Sequence, residues 1–294
     1  MKQYLAVDIG GTFIKFGLVD EAASILTMGK VKTPATLTGL IDFIVEKYHA
    51  YPDVAGLAIS SPGAVAASGV IYGTSALPYL HGPNIKQMLA DRIGIPVFMD
   101  NDGNCAGYAE IWKGKASDKQ DVLVIVIGTG IGGAVIKDGR IHKGANLHGG
   151  EFGYMMIPTD AGYDTWSTTA STGALVKKVA SLKGCSIHDL SGEYIFEMAN
   201  AGDAICHQAV EEFFELLAIG IYNLQYMYDP EVILIGGGIS AREDLIDHIN
   251  RKLDELLARF EASHIKPNVE ACAYRQHANM LGAVYGLMLE LETV

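Results

Sequence analysis

Apolar and polar positions follow two rhythms along this chain. Short runs rich in Val, Ile, Leu and aromatic residues recur at 3–9, 13–19, 54–60, 95–99, 121–127, 132–137 and 231–235. Such runs, bounded by glycine or polar clusters, predict strands. Between them the rhythm changes to i, i+3, i+4. Leu37, Leu40, Ile41, Ile44, Val45 and Tyr48 trace one apolar helix stripe, and Leu245, Ile246, Ile249, Leu253, Leu256, Leu257 and Phe260 trace another. A longer helix is expected from about 204 to 228, stopping at Asp229-Pro230 because proline disfavours helix at the residue before it. Strands alternating with helices predict an α/β architecture.

The pattern also echoes itself. LAVDIGGTFIKFGLV (5–19) and VIVIGTGIGGAVI (124–136) share one plan: an apolar strand, a Gly/Thr-rich turn and a second apolar strand. Between them KGKASDKQD (113–121) is the most polar stretch up to that point, so the domain boundary is set near residue 119. The expected domains are 1–119 and 120–294, with the last helix of the second able to pack back on the first. Two similar halves, each opening with a glycine hairpin, suggest a cleft in which both hairpins face one ligand.

Composition narrows the function classes. The chain has 294 residues, 49% of them apolar, enough for a full core in one large or two moderate domains. Its formal charge of −12 argues against nucleic acid or an anionic membrane as partner, since both need a basic face. The four cysteines, Cys105, Cys185, Cys206 and Cys272, are far apart and form no C-x-x-C pair, which disfavours a disulfide framework or a cysteine zinc site. The chain opens on MKQYLAVDIGG, a strand and turn without a signal-peptide pattern, and no apolar run approaches the ~18 residues of a membrane span. A cytoplasmic setting is expected.

The glycine turns carry the first chemistry. DIGGT (8–12) sets Asp8 at a strand end, followed by Gly10 and Gly11, which can take φ > 0 and bring backbone amides close to an anion, and by the hydroxyl of Thr12. Asp8 would repel a phosphate unless a cation stands between, so Mg²⁺ held through water is the natural reading. GTGIGG supplies Gly128, Thr129, Gly130, Gly132 and Gly133; LIGGGIS supplies Gly236, Gly237 and Gly238 between an apolar strand and a helix. Any one cluster alone is more often a tight hairpin. GTGIGG leads into a strand rather than a helix, so it is not a dinucleotide fingerprint.

In order, DIGGT, SSPGAV, DNDGNCAG, GTGIGG, GGEFGY and LIGGGIS resemble the motifs of the ROK family of bacterial sugar kinases and related repressors, within the hexokinase and actin-like ATPase superfamily. The resemblance covers almost the whole chain. It implies an α/β fold of two actin-like ATPase (ribonuclease H-like) domains flanking a deep cleft, ATP with Mg²⁺ as cofactors, and γ-phosphate transfer to a sugar hydroxyl. It also implies a homodimer. Repressor members carry an N-terminal helix-turn-helix; none is expected in a chain that opens on the first phosphate strand. One departure is Phe13, where the family often has Lys. Lys15 lies two residues on, on the same strand face, and either works near the phosphates or is solvated.

DNDGN (100–104) on its own reads equally as an Asx-rich turn capping a helix that starts near Asn104. The resemblance makes Asn101 a ligand of sugar hydroxyls and Asp102 the catalytic base, leaving Asp100 a structural part. The family's Glu-x-Gly-His segment, whose Glu grips the sugar and whose His joins three cysteines on structural zinc, is here EFGY. Glu151 is kept, Tyr154 replaces the histidine, and 155–171 has no cysteine, so no structural zinc is expected. A second sugar-binding glutamate is matched by Ser167. His148 reads as solvated or backbone-bonded rather than a ligand. Tyr79 or Trp166 is a candidate to stack on a sugar ring, with core packing equally open.

The expected function is ATP-dependent phosphorylation of a sugar primary hydroxyl, the 6-OH of β-glucosides such as cellobiose. The alternatives are a glucokinase, an allose kinase or an N-acylhexosamine (N-acetylmannosamine) kinase. Outside enzymes the alternatives are a degenerate sugar-binding sensor, against which Asp102 and the three glycine loops argue, and an actin-like structural ATPase, which the DNDGN cluster disfavours.

Overall fold

The computed structural model describes residues 1–159, 162–259 and 265–292, so Phe260 lies outside the described residues. The chain forms two compact units. One comprises Met1–Asp118, Gly139–Gly149 and Gln276–Val294; the other comprises Lys119–Asp138 and Gly150–Arg275.

In the first unit, β1 (Gln3–Ile9), β2 (Phe13–Asp20), β3 (Ile25–Lys32), β4 (Leu57–Ser61) and the strand Val97–Asn101 form one sheet, in the order β3-β2-β1-β4 and then 97–101. β1 and β2 make an antiparallel hairpin, whereas β1, β4 and 97–101 run parallel. The parallel strands are buried on both faces, which is why they read as continuous apolar runs. Their register sets Asp8 beside Ser60 and Ser60 beside Asp100, with Lys15 across the hairpin from Asp8. This polar row sits near the carboxyl ends of parallel strands, where α/β sheets bind ligands. The helix Leu37–Ala50 buries Leu40, Ile41, Ile44 and Val45, the stripe its spacing predicts. The helices Asp102–Lys113 and Ala278–Glu292 pack on each other, and the latter also covers β1, β4 and 97–101.

The second unit repeats the plan. Val122–Ile127 is antiparallel to Ile131–Lys137 and parallel to Val232–Gly236, which in turn is parallel to Val269–Ala271. The sequence echo is therefore one supersecondary unit used twice. The helix Ala204–Tyr228 ends where Asp229 takes a left-handed conformation, φ 54°, before Pro230. Leu245–Leu257 is helical and buries Leu245, Ile249 and Leu253. Trp166 is 0% exposed, its Nε1–H donating to the Leu216 carbonyl at 2.9 Å and its ring filling the space beside Gly220. That corrects the candidate stacking role: a fully enclosed indole is core and has no face for a sugar ring.

Candidate active site

Asp8 is held on several sides. Its Oδ1 accepts from Ser60 Oγ at 3.0 Å and from Asn279 Nδ2 at 3.1 Å, and its Oδ2 lies 3.8 Å from Lys15 Nζ. Lys15 also donates to the Gln276 carbonyl at 3.2 Å, so it is tied to this cluster rather than simply solvated. Ser60 opens the SSPGAV segment and Asn279 lies in no motif, but the sequence does not place either beside Asp8; the strand register and the fold of the last helix do. The following turn corrects an expectation. Neither Gly10 nor Gly11 takes a positive φ. What the turn needs is close approach: a Cβ on Gly10 would stand 2.7 Å from the Phe13 carbonyl oxygen. Thr12 is exposed at its tip.

The strand Val97–Asn101 runs directly into the helix Asp102–Lys113, earlier than the start near Asn104 that the sequence suggests. The reason is that Asn101 is itself the cap. Its Oδ1 accepts the amides of Gly103 at 2.8 Å and Asn104 at 3.2 Å, and its Nδ2 donates to the Gly63 carbonyl at 3.1 Å. Asp102 is then the first helical residue, exposed, at the positive end of the helix dipole, with Oδ1 accepting from the Gly103 amide at 2.8 Å. Asp100 beside it is fully buried. Its Oδ1 accepts from the Asn101 amide at 2.7 Å and Asn104 Nδ2 at 3.1 Å, and its Oδ2 lies 2.7 Å from Lys143 Nζ. Burial, reinforced by the charges of Asp100, Asp102 and Asp8, pushes the Cys105 thiol well up, so this cysteine stays a neutral packing group.

The second unit contains a cavity of about 640 Å³, within the usual range of small-molecule sites. Gly128 and Thr129 of the hairpin turn line it, as do Thr172, Phe196, Gly238 and Arg242. Gly130, Gly132 and Gly133 belong to the same hairpin, with the Gly128 amide bonded to the Gly130 carbonyl at 2.9 Å. Gly236 ends the neighbouring strand. Gly237 does need its conformation: φ is +85°, and a Cβ there would meet the Ile127 carbonyl oxygen at 2.2 Å. At one wall the helix Thr172–Lys183 starts, capped by Ser171, whose hydroxyl also bonds the Thr129 carbonyl at 2.9 Å. Thr172 Oγ1 is buried there without a hydrogen-bond partner among the described residues. At another wall the Arg242 guanidinium lies 4.0 Å over the Phe196 ring. Backbone donors beside flat apolar and cationic surfaces suit an anion joined to a ring system. Phe196 and Arg242 carry no motif; Ser171-Thr172-Gly173 could have been read as a helix N-cap signature.

Glu151, Tyr154, Ser167 and His148 take separate places. Glu151 is half-buried and precedes a single 3₁₀ turn, Phe152–Tyr154, in which Phe152 is buried. Tyr154 is 69% exposed. Ser167 Oγ accepts the Ile131 amide at 3.0 Å, bracing the foot of the GTGIGG hairpin. His148 Nδ1 pairs with the Asn146 carbonyl at 2.6 Å, a backbone-bonded histidine. Tyr79 is half-buried, its hydroxyl donating to the Pro34 carbonyl at 2.6 Å. Among the described residues, no group of three or more His, Cys, Asp or Glu side chains is arranged to hold a metal, and no helix is long and apolar enough to cross a membrane.

Comparison with known proteins agrees across the chain. The model of the ROK family matches residues 4–289. A β-glucoside kinase of Listeria monocytogenes serovar 1/2a is 33% identical over 295 residues, covering 97% of each chain. One from Klebsiella pneumoniae is 33% identical over 286 residues, covering 95% of this chain and 94% of its own. The solved structure of a ROK family protein from Streptococcus pneumoniae TIGR4, in complex with sucrose, is similar with a TM-score of 0.91 at 36% identity, covering 99% of this chain and 100% of that one.

Proposed function

Because this chain belongs to the ROK family, we propose that it is an ATP-dependent carbohydrate kinase phosphorylating the primary 6-hydroxyl of β-glucosides such as cellobiose. The fold is the α/β fold of actin-like ATPase sugar kinases. The observation that carries the substrate reading is the likeness to β-glucoside kinases over nearly the full length of both chains.

In this reading Asp102 accepts the proton of the sugar hydroxyl as that oxygen approaches the γ-phosphorus, and alignment supplies most of the acceleration. Asn101 uses one Nδ2 hydrogen on Gly63 and offers the other to the sugar, while its Oδ1 holds the helix start in place. Glu151 bonds further sugar hydroxyls. Thr129, Gly238 and the start of the helix Thr172–Lys183 hold the nucleotide in the cavity, with the base against the Arg242–Phe196 pair. The carboxylate of Asp8, with Lys15 beside it, suits a water-held Mg²⁺, which prefers one or two carboxylates plus phosphate oxygens. Magnesium bound with ATP neutralises charge on the transferring group.

Specificity rests on two replacements. Tyr154 and Ser167 stand where most of the family has a histidine and a carboxylate. Without that carboxylate a free anomeric hydroxyl loses a partner, which favours a substituted one. Ser167 contributes room where a longer glutamate side chain would stand, its hydroxyl oxygen accepting the Ile131 amide. The exposed ring of Tyr154 offers a face for a second ring.

The position of the ester tests this. After incubation with cellobiose and ATP, ³¹P-coupled NMR should find phosphate on C6 of the non-reducing glucose; an ester elsewhere, or on no sugar, refutes it. Mg²⁺ removal should abolish turnover, whereas chelator-washed protein should contain no stoichiometric zinc by elemental analysis. Stoichiometric zinc would overturn the reading of residues 151–171. The reading also includes a cytoplasmic homodimer, which sedimentation equilibrium tests.

A further inference from the structure

Asp100 is a carboxylate sealed from solvent, and Lys143 is the cation that meets it. The Lys143 ammonium lies 2.7 Å from Asp100 Oδ2, and the lysine side chain is itself only 26% exposed. The other oxygen of Asp100 accepts from both the Asn101 amide and the Asn104 side chain, on the capping residue and in the first turn of the Asp102 helix. The main chain of Lys143 does something different. Its carbonyl accepts the Gly149 amide at 2.8 Å, closing the turn 143–149. That turn is tight: a Cβ on Gly149 would stand 2.3 Å from the His142 carbonyl oxygen. His148 Nδ1 braces it from within through the Asn146 carbonyl. Gly149 in turn precedes Gly150-Glu151 in the sequence.

We propose that Lys143 is a positioning residue for phosphoryl transfer. Its side chain sets the loop that carries Asn101 and the base Asp102, while its backbone sets the turn that leads to the sugar-binding Glu151. The inference rests on the kinase reading above. Removing the ammonium leaves a buried carboxylate without its counter-charge, a state that proteins relieve by protonation or by admitting water. Either change loosens the grip of Asp100 on Asn101 and Asn104, and the base moves with them. Displacements of about 1 Å in such a site can lower rates roughly 100-fold. The nucleotide cavity uses none of these residues, so ATP binding should be spared.

The test is steady-state kinetics of Lys143→Met, Lys143→Arg and the double variant Asp100→Asn/Lys143→Met, each with ATP and the best sugar of a panel. Lys143→Met should lower kcat/KM for the sugar roughly 10- to 100-fold while KM for ATP stays within about twofold. Lys143→Arg, which keeps the charge, should recover most of the loss. The double variant should be several-fold more active than Lys143→Met, because asparagine still accepts from Asn101 and leaves no buried charge. Sugar kinetics of Lys143→Met within about twofold of wild type would overturn the proposal. So would sugar and ATP constants that worsen together with no recovery in the double variant, the mark of a purely structural ion pair. An inactive wild-type chain would instead overturn the kinase reading, and this role with it.

Discussion

Replacing Asp102 by asparagine should lower turnover by roughly 10²–10⁴-fold while KM for the sugar changes little, because the lost step is proton acceptance, not binding. The substitution is structurally mild. Asp102 is exposed, and the Gly103 amide bond it accepts is one that an asparagine oxygen accepts equally well. The helix keeps its cap, since capping belongs to Asn101. A thermal midpoint close to wild type with turnover almost lost is the expected pair of results. Turnover within about tenfold of wild type would remove Asp102 from the role of base.

Trp166→Ala should destabilise the protein by about 3–5 kcal/mol, the usual range for deleting a buried tryptophan. The ring is wholly enclosed, lies against Gly220 and donates to Leu216. Its loss leaves a cavity and removes the bond from the indole to the Leu216 carbonyl, which keeps its place in the helix Ala204–Tyr228. Trp166→Phe should lose less stability and keep KM for the sugar within about twofold, which denaturant titration and kinetics measure together. If Trp166→Phe raised sugar KM strongly with unchanged stability, the indole would be a ligand contact after all.

Much of this was legible because strong local signals agreed with the fold. Val/Ile/Leu runs became buried strands, and the repeated glycine turns became equivalent hairpins. Signals that depend on distant partners were not legible. Trp166 sits close in sequence to the sugar-loop motif, but the partner of its Nε1–H lies 50 residues on, and only that packing makes it core. DNDGN offers several side chains able to cap a helix; the pairing of Ser61 with Asn101 at the strand end decides that Asn101 does so. β3 escaped detection because ILTMGKVK is an edge strand, mostly exposed, without an apolar run. The hairpin Met156–Thr159 with Gly162–Thr165 is interrupted in sequence by Pro158 and a glycine. Lys143 lies in a polar stretch with no motif, and only the fold brings it to Asp100.

The central claim, an ATP-dependent kinase that prefers β-glucosides, is tested most directly by kcat/KM for cellobiose, glucose and N-acetylmannosamine under the same ATP and Mg²⁺. A site lacking the carboxylate for a free anomeric hydroxyl and presenting Tyr154 to a second ring should favour cellobiose by about tenfold or more over either monosaccharide. A clear preference for glucose or for N-acetylmannosamine would contradict it.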